Sequence, residues 1–289
     1  MGLFRRTRED RVARRSYPVL TAAAVLAGLA IVSWPPSAGG GAAQAAREAR
    51  PVGDTARSVR PPESSSRSFD GLPAVGALFD LDDDGKLTDH TCTGSVVKSP
   101  SRNLVLTAAH CIGGGSRRGN IGMAFAPGYH DGQTPYGVWR AVALYDPPEW
   151  ASGSDPDADI AFLEVTDADG GGKRVQDVTG AMALEADGPV SGQARVVGYP
   201  SGDERPVACR NRVEPYSTTQ LRFTCAGFPN GTSGGPFLAG DDEKTVVGVI
   251  GGHEGGGSTD DVSYSVIFGS KVKDLYQTAS ASSAAHSKS

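Results

Sequence analysis

The chain has 289 residues, 39 of them glycine and 19 proline, with a formal net charge of −5. That length can bury a sizeable core, and so many turn formers suit an all-β chain better than a helical bundle. Residues 1–69 carry 11 Lys+Arg against 5 Asp+Glu, whereas residues 70–289 carry 17 against 28, a net of −11. An acidic folded part argues against nucleic acid as its partner.

The chain opens with a basic lead, MGLFRRTREDRVARR, followed by an apolar run over 17–34 and the small-residue stretch AQA at 43–45. This order reads as a signal peptide over residues 1–45, cleaved after Ala45, and implies a secreted protein with no membrane attachment after cleavage. The competing reading is an uncleaved anchor, but the run is near the lower length limit for a span. RRSYPV at 14–19 loosely matches a twin-arginine signal. Residues 46–69 are polar and rich in Arg, Ser and Pro, and read as a pro-segment or disordered linker. The tail, 277–289, reads as disordered too, which leaves a globular part of 70–276.

Within it, short β-type runs recur between turns: 74–79, 90–97, 103–111, 137–145, 159–165, 194–200, 220–227, 236–240, 245–252 and 262–268. Several alternate polar and apolar residues, the pattern of antiparallel strands with one buried face. Only 270–279 looks helical, and the stretch from about 170 to 190 divides two β units. DLDDDGKL at 80–87 places Asp80, Asp82, Asp84 and Gly85 like the start of a calcium loop. The twelfth position, however, is Thr91 rather than the required glutamate, so a solvated hairpin loop is the better reading.

Four cysteines, Cys92, Cys111, Cys209 and Cys225, lie in the globular part. An even count in an exported chain implies two disulfides with three possible connectivities, of which Cys92–Cys111 with Cys209–Cys225 is the simplest. No Cys-x-x-Cys pair exists, and no metal or other cofactor is expected.

Ser233 stands in NGTSGGPF, among Gly231, Gly234 and Gly235 and before Pro236. A serine hydroxyl becomes a nucleophile when a histidine takes its proton and a buried carboxylate holds that histidine. Of five histidines, His110 has the most particular setting, at the end of the apolar LVLTAAHC; His90, His130 and His286 lie in polar loops or the tail. Asp159 abuts the apolar strand IAFLEV, where a partly buried carboxylate needs a partner; Asp157 is the second choice.

LTAAHC, DIAFL and GTSGGP, in that order and separated by 49 residues from His110 to Asp159 and 74 from Asp159 to Ser233, resemble the signatures of chymotrypsin-like serine peptidases. The resemblance covers about residues 72–276, and YDPPEW at 145–150 resembles a feature of the bacterial glutamyl-endopeptidase-like branch. It implies two antiparallel six-stranded β-barrels with the site between them, a short C-terminal helix, and a monomer acting on protein or peptide substrates. It also implies Ser233 as nucleophile, His110 as general base and acid, Asp159 as its orienting carboxylate, and the N–H groups of Gly231 and Ser233 as an oxyanion hole. Cys92–Cys111 matches the family disulfide beside the histidine, and Cys209–Cys225 would brace the wall leading to the serine loop. The primary pocket would have Gly227 at its base and Ile250, Gly251, Gly252 and His253 along its side. Ile250 to Gly252 would pair with extended substrate, and a protonated His253 would favour Glu or Asp.

One position departs from the family pattern. Digestive members carry Asp before the serine to receive a new N-terminal ammonium; here Thr232 stands there, and no Ile-Val-Gly-Gly start occurs near residue 70. Activation through that ion pair is therefore not expected. The α/β-hydrolase alternative for Gly-x-Ser-x-Gly requires Ser, Asp, His order and interleaved helices, and both are missing. The remaining alternative is a catalytically inactive, peptidase-like binding domain.

Overall fold

The computed structural model describes residues 64–286 apart from 114, 116, 120, 189 and 190. The expected signal peptide, residues 46–63 and the last three residues lie outside that range. Its strands are β1 (Arg67–Ser68), β2 (Val75–Leu81), β3 (Leu87–Val97), β4 (Leu104–Thr107), β5 (Arg117–Arg118), β6 (Met123–Pro127), β7 (Trp139–Tyr145) and β8 (Ala161–Asp167). They continue as β9 (Ala183–Leu184), β10 (Gly192–Gly198), β11 (Val207–Pro215), β12 (Gln220–Thr224), β13 (Pro236–Ala239), β14 (Thr245–Val249) and β15 (Val262–Val266). Helices α1 (Pro148–Gly153) and α2 (Val175–Thr179) are short, and α3 (Ser270–His286) ends the chain's described part.

The fold is chymotrypsin-like, mostly β, but its two halves differ. In the first, β7, β6, β2, β3, β4 and β8 form a closed six-stranded barrel, because β7 pairs with β8 as well as with β6. In the second, β15, β12, β11, β10, β13 and β14 follow one another in a curled sheet whose ends do not pair as a ladder. Between those ends run separate bonds, Gly251 N–H to Tyr264 O at 3.0 Å and Val249 N–H to Ser265 Oγ at 2.9 Å. The expected second closed barrel is thus a half-barrel: a serine hydroxyl stands where a ladder acceptor would be. Leu78, Leu104, Leu106, Phe125, Phe162 and Val197 are buried in a core that both halves share, as their alternating apolar positions dictate.

Two boundaries differ from the sequence expectation. Residues 64–69, read as linker, are part of the second sheet: β1 pairs with β11 through Arg67 and Ala208 and through Ser68 and Val207, and Ser65 bridges Ala226. Strand addition uses main-chain bonds that every residue but proline can make, so polar composition does not forbid it. Residues 277–286, read as disordered tail, continue α3. Ala279, Ser280 and Ser283 are buried, and Tyr276 Oη donates to Lys98 O at 2.7 Å. Small side chains let this helix lie close against the first barrel, and alanine favours the helical state.

Residues 82–86 of the acidic stretch form the hairpin loop between β2 and β3. Lys86 N–H donates to Asp82 Oδ1 at 2.8 Å, and Arg140 donates to Gly85 O at 2.9 Å.

Candidate active site

β4, four buried residues, runs into Ala108 and then a single helical turn, Ala109–Ile112, which carries His110. The disulfide Cys92–Cys111 ties this turn to β3, with the two Cα atoms 6.0 Å apart. Asp159 lies just before β8, the neighbour of β4, and is 0 % exposed. Three N–H donors satisfy its carboxylate: His110 N–H to Oδ1 at 2.9 Å, His110 Nδ1 to Oδ2 at 2.7 Å, and Gly252 N–H to Oδ2 at 2.7 Å. Burying an ion so deeply is tolerable only with such partners. A carboxylate can only accept, so Nδ1 carries the proton and Nε2 keeps its lone pair in the neutral ring. Asp157 is not at this histidine; its Oδ1 accepts from Gln220 Nε2 at 2.7 Å. The Trp150 ring lies 6.5 Å from that of His110, and gives YDPPEW a place beside the imidazole.

The serine loop is held from both halves. Thr93, 0 % exposed on β3, donates its N–H to Ser233 O at 2.7 Å and its hydroxyl to Gly231 O at 3.0 Å. The same hydroxyl accepts from Tyr199 N–H at 2.8 Å. Gly234 N–H donates to Ile250 O at 2.7 Å. Gly231 has φ +93°, and a Cβ there would stand 2.3 Å from Ser201 N. Gly234 has φ +78°, and a Cβ there would stand 2.1 Å from Thr107 Oγ1. The glycines therefore let the loop turn and pack Ser233 beside the strand leading to His110. Among the described residues, the N–H groups of Gly231 and Ser233 have no acceptor, and Ser233 Oγ makes no hydrogen bond to His110. Thr232 Oγ1 donates to Pro229 O at 2.7 Å, which closes the turn just before Ser233.

A cavity of about 560 Å³ opens beside Ser233, walled by Phe228 to Asn230, Ile250 and Gly255 to Asp260. Of the expected pocket residues, Ile250 borders it, and Gly227, Gly251, Gly252 and His253 do not. Gly227 faces the N-terminal segment instead, where Ser66 Oγ donates to its carbonyl at 2.8 Å. The segment expected to pair with substrate is engaged internally: Gly251 N–H with Tyr264 O, Gly252 N–H with Asp159 and His253 N–H with Gln220 Oε1 at 3.2 Å. Gly252 has φ +83°, which turns the chain out of extended geometry and into the helical turn His253–Gly256. His253 packs against both Tyr216 and Tyr264 in a triangle of rings whose centroids are 4.8 Å apart in each pair. Burial raises the Tyr264 phenol above its ordinary value, with Tyr216 adding to the effect. The second disulfide joins Cys209 to Cys225, with Cα atoms 6.7 Å apart.

The profile of the trypsin-like peptidase domain matches residues 92–249, more than half of the chain. The chain belongs to the trypsin-like peptidase family. Among solved structures it is similar to the protease Anisep from Arthrobacter nicotinovorans, with 27% identity, TM-score 0.64, and coverage of 75% of this chain and 99% of that one. It is also similar to the thermostable serine protease AL20 from an extremophilic microorganism, with 26% identity, TM-score 0.60, and coverage of 72% and 97%. A Glu endopeptidase shares the fold at 18% identity and TM-score 0.59, covering 76% of this chain and 98% of its own. A comparison with curated proteins finds no match.

Proposed function

We propose that this protein is a secreted serine endopeptidase that cleaves peptide bonds through Ser233, His110 and Asp159. The observation that carries the reading is the buried Asp159 carboxylate bonded to both N–H groups of His110, beside a serine loop with two unpaired N–H donors. In this reaction Ser233 Oγ attacks the substrate carbonyl carbon and its proton passes to His110 Nε2. The carbonyl oxygen, now an anion, accepts from the N–H groups of Gly231 and Ser233. Collapse breaks the C–N bond, and the amine leaves with the proton from His110. A water molecule, deprotonated by the same nitrogen, then hydrolyses the acyl-enzyme. Asp159 holds the tautomer and offsets the charge of the imidazolium.

Among the described residues that line the cavity, Asp260 is the ionisable one, and none is Lys, Arg or His. This favours a neutral or cationic substrate side chain over the Glu or Asp expected from His253. Export rests on the basic lead and apolar run of residues 1–34.

One observation favours a second reading, a peptidase-like binding domain: Ser233 Oγ makes no hydrogen bond to His110. Such bonds often form only once substrate is bound. Labelling with a fluorophosphonate, read by peptide mass mapping, separates the two. The peptidase reading expects a label on Ser233 that Ser233→Ala abolishes. A folded, disulfide-bonded protein without label supports the binding domain.

A further inference from the structure

Gln220 begins β12 in the second half, is 4 % exposed, and makes three side-chain bonds that reach two other segments. Its Nε2 donates to Pro156 O at 3.0 Å and to Asp157 Oδ1 at 2.7 Å. Its Oε1 accepts from His253 N–H at 3.2 Å. The amide has one orientation only, since Nε2 meets two acceptors and Oε1 meets a donor. A Cβ on Gly252 would stand 2.3 Å from Gln220 Oε1, so the amide occupies the space that a side chain there would need.

These contacts converge on one carboxylate. Pro156 and Asp157 belong to the turn that delivers Asp159, and Gly252 N–H donates to Asp159 Oδ2, the oxygen that also accepts from His110 Nδ1. The segment 251–257 contains five glycines, residues whose backbone has the widest conformational freedom. We infer that Gln220 is a positioning residue for the catalytic machinery. It clamps the turn carrying Asp159 to the glycine segment and thereby keeps the Gly252 donor on Asp159. Asp157, which does not reach His110, is the other jaw of this clamp. The inference rests on the peptidase reading and adds to it a residue from outside the triad.

The test uses full-length Gln220→Glu, Asp157→Asn and the double variant, with Ser233→Ala as control. Gln220→Glu sets carboxylate against carboxylate. Asp157→Asn keeps an acceptor for Gln220, and in the double variant the asparagine donates to the new glutamate. Three quantities are read: the fluorophosphonate labelling rate of Ser233, amide exchange over 251–257, and far-ultraviolet circular dichroism. Gln220→Glu is expected to keep its spectrum, exchange faster over 251–257, and label more slowly on the order of 100-fold, the size of a small misplacement of catalytic groups. Asp157→Asn is expected to label at close to the native rate. The double variant is expected to recover about tenfold of the loss, one hydrogen bond to a charged group. A merely structural amide would lose circular dichroism signal together with labelling rate, whereas a positioning one loses rate with the spectrum unchanged. Equal labelling of native and Gln220→Glu protein overturns this inference alone, as does a double variant no faster than the single one. Native protein that does not label overturns the peptidase reading and takes the inference with it.

Discussion

Gly231 and Gly234 show how a single missing methyl group shapes the site. Both adopt positive φ, and both lie where a Cβ would meet another atom at 2.3 Å or less. Gly231→Ala must therefore push the loop away from Ser201, which moves one of the two free donors. The expected outcome is a fall in labelling or hydrolysis on the order of 100-fold, with the disulfides intact, as for loss of an oxyanion donor. Thr93 acts from the other side. Thr93→Val keeps the shape and the N–H but removes the bonds to Gly231 O and from Tyr199 N–H. A destabilisation of about 1–3 kcal/mol is expected in denaturant titration, because two buried groups lose their partners. The glycine cluster was legible in the sequence, since so many glycines around one serine are unusual. Thr93 was not: a threonine in a strand looks like any β-branched residue, and its partners are more than a hundred positions away.

At the scale of elements, β1 makes a prediction about the N-terminus. Ser66 N–H donates to Ala226 O at 2.8 Å, and Ala226 N–H donates to Ser64 O at 2.9 Å, next to the Gly227 carbonyl held by Ser66. Chains that start at any residue up to Ser64 are expected to label equally. A chain starting at residue 70 is expected to lose thermal stability and labelling rate together. Equal behaviour of the two would show that β1 is dispensable. The helical turn of His110 depends in turn on Cys92–Cys111, whose residues are 19 apart. Replacing both cysteines by alanine is expected to cost about 3 kcal/mol, the loop-entropy value for a loop of this size. The sequence pattern located most strands, because their apolar alternation is local. It passed over β6, whose five residues are all buried and so do not alternate, and the largely polar β11, as well as β1 and the last turns of α3, which main-chain pairing and small-residue packing hold.

Across the whole molecule, a cluster of rings joins the two halves. Tyr129 packs edge-on to Phe79 and His90, and beside Tyr199 from the second half. Tyr129 Oη donates to Glu204 Oε2 at 2.8 Å. Burial first, and then this bond and charge, push the Tyr129 phenol from 10.0 up to about 12. An unfolded chain thus releases this proton at lower pH than the native one. The stabilisation is complete below pH 10.0 and is lost as pH rises towards about 12. Thermal midpoints are expected to fall through that window, and Tyr129→Phe should make the fall shallower. An unchanged slope would mean that the phenol is not coupled to the joint.

By itself, the sequence determined the class: an all-β chain with Ser233, His110 and Asp159 in marked local settings, and four cysteines in pairs. These features are local, written in periodicity, spacing and flanking residues. Only the tertiary structure decided that one barrel closes and the other does not, that Asp159 rather than Asp157 meets His110, and that Gly252 and Gln220 serve that carboxylate from the far half. The contacts of these carboxylates join groups 49 to 93 residues apart in the chain. A buried polar atom is satisfied by whatever donor the packed fold brings within reach, and side-chain type alone does not name that donor.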